Sequence, residues 1–154
     1  MRTLLVTIGL TVALAASACS SSEPTTVPTT VPTTTAPTTT VIVGDGSIVF
    51  GEGAVPDGVP SSFPIPQQGN IGSTLADDTL GRYEMLLNLP APIDATVAYY
   101  ETNLPAVGFV IDRSELEGLT HMIAFSGEGV TGLIQIEAKG TGELSTASIR
   151  IERS

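Results

Sequence analysis

The stretch that most constrains the fold is Pro92 to Phe109, PIDATVAYYETNLPAVGF. Ile93, Val97, Tyr100, Leu104 and Val107 recur every three or four residues, which puts them on one stripe of a 3.6-residue helix. A helix with a single apolar stripe must lay it on another apolar surface, and the neighbouring segments alternate with the period of strands, so the partner is a sheet. Pro92 suits the first turn, where its missing N–H would find no partner in any case, and Asp94 favours the positive end of the helix dipole. At the other end Pro105 has no N–H for the carbonyl four residues back and disfavours helical geometry at Leu104. A bent or 3₁₀-like last turn is therefore expected, with Gly108 as a left-handed stop before Phe109.

Around this helix the chain reads strand, strand, helix and then four strands. Arg82 to Leu89 places Tyr83, Met85, Leu87 and Leu89 on one face, and Asn70 to Leu75 precedes it. Phe109 to Arg113, Thr120 to Ser126, Leu133 to Lys139 and Ala147 to Glu152 follow, separated by glycine-rich turns. Short connections make an antiparallel meander. The expected fold class is α+β: an antiparallel sheet of about five or six strands with one amphipathic helix, about 92–107, packed on one face. Val41-Ile42-Val43 and Ile48-Val49-Phe50 flank Gly44 to Ser47 as a possible small hairpin, but 41–60 is rich in turn formers and is expected to be a weakly structured lead-in. The compact domain is placed at 61–154. Phe63-Pro64-Ile65-Pro66, the strand, the segment from Pro92 through Val97-Ala98-Tyr99-Tyr100 to Gly108-Phe109, and the paired strands together resemble a recurring small α+β module of bacterial lipoproteins and secreted proteins. That resemblance covers roughly 60–154 and implies fold; it carries no catalytic residue.

Met1 to Ala18 reads as an export signal: Arg2, an apolar run from Leu4 to Ala16, then small residues. As a helix the run is about 20 Å long, short of the roughly 30 Å hydrocarbon core, which fits a signal segment better than a permanent span. The small residues before Cys19, the only cysteine, resemble the lipobox of bacterial lipoproteins, although Ala16 stands where leucine is usual. The resemblance implies lipidation of the Cys19 thiol after cleavage behind Ala18. Two or three acyl chains would hold the protein on the membrane without a span. The expected location is the extracytoplasmic face of the cell membrane.

Residues 19–40 then form a tether of Thr, Pro and Ser, with Thr-Thr-Val-Pro at 25–28 and again at 29–32. Such a segment has little apolar surface to offset its chain entropy and favours extended polyproline II, with a reach of roughly 65 Å. Its style resembles tethers of lipoproteins from high-GC Gram-positive bacteria. Threonines beside prolines in an exported chain suit either O-glycosylation or an unmodified spacer.

Without the leader the chain keeps five basic residues against sixteen acidic ones, a net charge of −11. This argues against nucleic acid as a partner and against electrostatic adhesion to anionic lipid. With Cys19 lipidated, the folded part has no cysteine for a disulfide or a thiolate metal site.

No catalytic constellation stands out. His121 is the only histidine and Lys139 the only lysine; there is no Gly-x-Ser-x-Gly segment to accompany either. Asp45, Asp57, Asp77, Asp78 and Glu128 are loop carboxylates without the spacing of an EF-hand. Neither cofactor nor metal is expected.

The second face of the sheet gives the one candidate site. Leu86, Val110, Met122 and Leu133 fall opposite the helix-covered residues. Four apolar groups on a face that should be polar would suit a protein or small-molecule partner, if they are neighbours. Alternatively residues 41–66 fold back over them, which is the favoured expectation because the early Val, Ile and Phe otherwise have nothing to pack on. The functional expectation is a lipid-anchored, non-catalytic binding or interaction module, with a structural envelope component and a small hydrolase built on His121 as alternatives.

Overall fold

The computed structural model describes residues 39–43 and 46–154. The export signal, Cys19 and nearly all of the tether lie outside the described residues, as does Asp45. Among the described residues, eight strands form one antiparallel sheet: β1 (Thr39–Val43), β2 (Gly46–Glu52), β3 (Asn70–Asp77), β4 (Arg82–Leu89), β5 (Val110–Glu117), β6 (Thr120–Gly127), β7 (Val130–Lys139) and β8 (Leu144–Arg153), with one helix, α1 (Ile93–Ala106). The spatial order is β1-β2-β3-β4-β8-β7-β6-β5. Two four-stranded meanders thus meet at β4 and β8, and α1 is the crossover between them. The chain stays in the α+β class, but the expected sheet of five or six strands is too small.

The added strands are β1 and β2. Their apolar runs are short, so the sequence shows only a hairpin of the kind that is marginal in isolation. What stabilises the pair is β3: Ile48 to Glu52 align with Asp77 to Ser73, and the hairpin becomes the sheet's edge.

Alternation dictates the layers. Tyr83, Met85, Leu87 and Leu89 on β4, Ile123 and Phe125 on β6, Ile134 and Ile136 on β7, and Ala147, Ile149 and Ile151 on β8 are all buried on one face. Thr96, Val97, Tyr100 and Leu104 are the buried helix residues, with Ile93 packed beside them. Val107 is not among them and Thr96 is, because the buried Thr96 Oγ1 meets Ser145 Oγ at 2.8 Å. Pro92 is the N-cap rather than the first helical residue. Pro105 lies within the last turn, and the chain leaves through Gly108 at φ +97°, with the Phe109 N–H donating to the Leu104 carbonyl at 3.0 Å. A positive φ of this kind makes glycine the natural residue at the helix stop.

The helix contacts β5, β7 and β8. The rest of the same face is covered by residues 53–69. Phe63 sets its ring against Tyr100, Phe109 and Phe125, with centroids 6.4, 5.9 and 5.5 Å away, and Val59 joins the same core. Residues 53–66 therefore share a face with the helix and do not fold over the opposite one. The favoured expectation had them there, yet the largest unsatisfied apolar surface was on the helix side, where α1 alone is too narrow to cover the whole sheet.

Candidate functional site

The opposite face is open, and pairing across the sheet shows what it carries. One row runs Leu86, Ser148, Gln135, Met122, Glu115; the next runs Glu84, Arg150, Leu133, Ala124, Arg113. Met122 and Leu133 are diagonal neighbours on β6 and β7, both half-buried. Leu86 lies three strands from Met122 with Ser148 and Gln135 between, and Val110 stands on the edge strand opposite Ser126, 61 % exposed. The structure brings two of the four together and disperses the others. Among them lies an ion cluster in which Arg82 and Arg150 both reach Glu84 Oε1, the latter at 3.1 Å. Burial pushes the Glu84 carboxyl up, but the hydrogen bonds and charges of the two arginines outweigh it and hold the group below its ordinary value. A face this interrupted by charge is the solvated side of an antiparallel sheet rather than an apolar patch.

His121 does meet a serine and a carboxylate. Ser114 Oγ donates to Glu101 Oε1 at 2.7 Å and lies 2.9 Å from His121 Nε2. In a nucleophile relay the imidazole stands between carboxylate and hydroxyl, taking the hydroxyl proton on one nitrogen while the other is held by the carboxylate. Here the serine stands in the middle and its proton is directed to Glu101, so the imidazole would donate to Oγ. The trio ties α1 to β5 and β6, and it lines neither the hollow beneath residues 54–58 nor the one by the start of α1. Lys139 Nζ is engaged with Asn88 Oδ1 at 3.0 Å. Asp77, one of the loop carboxylates, caps the turn after β3 by accepting from the N–H groups of Thr79 and Leu80. Glu128 accepts from Ser62 Oγ at 2.6 Å. Among the described residues no three His, Cys, Asp or Glu side chains converge as a metal-ligand set.

One hollow that the packing leaves lies on the helix side but beyond the helix. A cavity of about 340 Å³ opens between β2–β3 and residues 54–58. Its sheet wall is Val49, Gly51, Thr74 and Ala76; its other wall is Ala54, Val55, Pro56 and Gly58. The register explains why these residues face inward: Ala76 pairs with the buried Tyr83, Thr74 with Met85, and Val49 with Ala76. Small side chains make the space, since two of the eight are glycine and two alanine. Gly58 is required for another reason: a Cβ there would stand 1.9 Å from the Tyr83 ring, so the segment approaches the sheet as closely as backbone can.

Three further lining residues are acidic, Glu52, Asp57 and Asp78, and none is basic. Asp78 is oriented by the Tyr83 hydroxyl, which donates to its Oδ1 at 2.8 Å. Burial foremost, and then the bond and charge of Asp78, push the Tyr83 phenol above its ordinary value. Tyr83 is thus a donor fixed in place, and Asp78 Oδ2 remains an acceptor. A second hollow of about 350 Å³ lies by the start of α1, between Gln67, Gln68, Pro90, Ala95 and Tyr99, and its lining has no charged residue.

Of the cavity residues the sequence points only to Asp57 and Asp78, and to those only as loop carboxylates. The available signal was the glycine, alanine and proline content of 51–60, which reads equally as a turn and as the wall of a hollow. Comparison of the chain with protein-family models, with curated proteins and with solved structures finds no match.

Proposed function

We propose that the protein is a membrane-anchored, extracytoplasmic binding module without catalytic activity, and that the hollow between β2–β3 and residues 54–58 is its binding site. The observation that carries this reading is the cavity of about 340 Å³ whose walls are small residues and whose lining alone, among the described residues, combines an apolar sheet wall with Glu52, Asp57 and Asp78 and no basic side chain. A hollow of ligand size, walled by small residues and bordered by oriented polar groups, therefore fits a preformed site. Anchoring rests on Cys19 behind Ala15-Ala16-Ser17-Ala18 and on the Thr/Pro tether that would lift the domain from the bilayer. Among the described residues no helix is long and apolar enough to cross a membrane.

Two measurements test the two parts. Cys19→Ala in the producing cell should move the protein from the membrane fraction to the medium and abolish incorporation of labelled palmitate; retention on the membrane would remove the lipid anchor. A thermal-unfolding screen of the full-length chain against cell-wall fragments, lipids, peptides and metal ions tests binding. A ligand at a hundred times its Kd stabilises by about 2.7 kcal/mol, a rise of several degrees for a domain of this size. Absence of any shift across every class would count against a small-ligand site and leave the envelope-assembly reading ahead.

A further inference from the structure

We propose that the cavity takes an alkylammonium: a primary ammonium group carried on an unbranched apolar stem, as in a lysine side chain or a short diamine. The inference rests on the reading of the cavity as a binding site and names its ligand class. Val49 and Ala76 offer a stem apolar contact without a group that needs a hydrogen bond. Asp57 and Asp78, with Glu52 beside them, supply negative charge; no lysine, arginine or histidine is among the lining residues, and nearby Arg153 stacks over the Tyr83 ring at 5.4 Å. An anionic ligand would meet repulsion, and an uncharged donor would gain hydrogen bonds without charge attraction; a cation gains both.

Within cations the geometry selects further. The acidic lining residues do not form a metal-ligand set, so single carboxylate contacts to an organic cation fit them better than chelation of an ion. A guanidinium is a rigid planar fork best served by one bidentate carboxylate, whereas an ammonium is a compact charge whose three donors can be shared among separate acceptors. Asp57 and Asp78 come from different segments, one from the covering loop and one from the end of β3, and Asp78 already accepts one hydrogen bond from Tyr83. Separate single acceptors match the ammonium.

The experiment is calorimetric titration of the full-length chain with 1,5-diaminopentane, with its uncharged counterpart 1,5-pentanediol, and with a short lysine-containing peptide blocked at both ends. The diamine or the peptide should bind about tenfold tighter than the diol, in line with two partly exposed ion pairs. That preference should fade at the salt concentration where the screening length falls to about 3 Å. Asp57→Asn together with Asp78→Asn should remove the same factor and leave folding intact, since asparagine can still accept from Tyr83. Ala54→Trp, on the exposed covering loop, should fill the hollow and abolish binding. A tighter peptide points to a partner protein's lysine, and a tighter diamine to a free polyamine. Equal binding of diamine and diol, both lost in Ala54→Trp, would overturn the ammonium assignment while keeping the cavity as a site. Diamine binding that survives Ala54→Trp would overturn the cavity itself. No binding by any of the three would overturn the ligand class, and the broader binding reading would then be judged on the thermal screen, which uses other compounds.

Discussion

The half of the sheet beneath α1 and the half beneath residues 53–69 are built from the same kind of strand, yet they are covered in different ways. Under the helix, Ile134, Ile136, Ala147 and Ile149 have no exposure at all. A helix presents side chains at a regular spacing, so its stripe can meet a pleated surface along its full length. The other half is covered by a string of turns: the N–H groups of Val59, Phe63 and Gly69 donate to the carbonyls of Pro56, Pro60 and Pro66, each three residues earlier. Such a segment satisfies its own backbone locally and reaches the sheet only at intervals, through Val59, Phe63 and Ile65. The cavity lies just before the first of these anchors, beneath residues 54–58. A regular cover yields a core and an irregular one leaves hollows, a general reason why binding residues often fall on loops carried by a rigid scaffold.

The comparison breaks most readily at matched truncations. Ile149→Ala, under the helix, should cost about 2–5 kcal/mol, since it empties a close-packed position. Val49→Ala only enlarges an existing hollow beside a half-buried strand and should cost under about 1 kcal/mol. Urea unfolding of the two variants gives the difference; equal costs would mean that the halves are packed alike. Gly132→Ala is the complementary test in the closed half. A Cβ there would lie 2.1 Å from the Phe125 ring, so the substitution should cost about 1–3 kcal/mol by overpacking. In combination with Phe125→Leu much of that cost should disappear, a coupling that a double-mutant cycle measures.

The two halves also differ in how far the sequence discloses them. β4 is bounded by the residues its alternation names, and the inward residues of β6, β7 and β8 are those that the period of two selects. Their signal is strong because one face is buried and the other wet, so a slip of one residue would exchange them. β2 carries no such contrast. Ile48 and Val49 are both half-buried and Phe50 is 42 % exposed, so neither face dominates and the strand is identified by its pairing with β3 rather than by its own pattern. The candidate patch fails for a related reason. Alternation tells which face Leu86, Val110, Met122 and Leu133 occupy, but adjacency depends on the strand order β4-β8-β7-β6, which period alone does not contain. The cavity was least legible, because a hollow is defined by atoms that are absent from small residues distant in sequence.

Tyr100 tests whether the closed half is closed too tightly. Its hydroxyl is buried without a hydrogen-bond partner among the described residues, and burial foremost, with a smaller effect from Tyr99, pushes the phenol far above the ordinary tyrosine range. Leaving such a group unpaired costs about 1–3 kcal/mol, so Tyr100→Phe should stabilise the protein by about 1 kcal/mol. The pH dependence supplies an independent check. An unfolded tyrosine ionises near pH 10, while the folded Tyr100 holds its proton to higher pH. The unfolded state therefore loses protons first, and stability that is fully present below pH 10 falls as pH rises through the folded value. Tyr100→Phe should flatten that alkaline decline without abolishing it, since Tyr83 is shifted in the same direction. An unchanged alkaline slope would show that the phenol ionises alike in both states.

Ala76→Val is the smallest expected change and separates the two explanations of the open half. If the hollow is merely imperfect packing, two added methyl groups on a strand that favours branched side chains should stabilise the protein by about 0.5 kcal/mol or more and have no other consequence. If the hollow is a site, the same gain in stability should come with weaker binding of whatever ligand the thermal screen identifies, because Ala76 lies in its sheet wall. Stability and affinity moving in opposite directions is the signature of a protein that keeps a hollow for use. Thermal unfolding with and without ligand gives both quantities from the same samples. A variant that gains stability and keeps its affinity would place the ligand elsewhere and reduce the difference between the halves to the geometry of their covers.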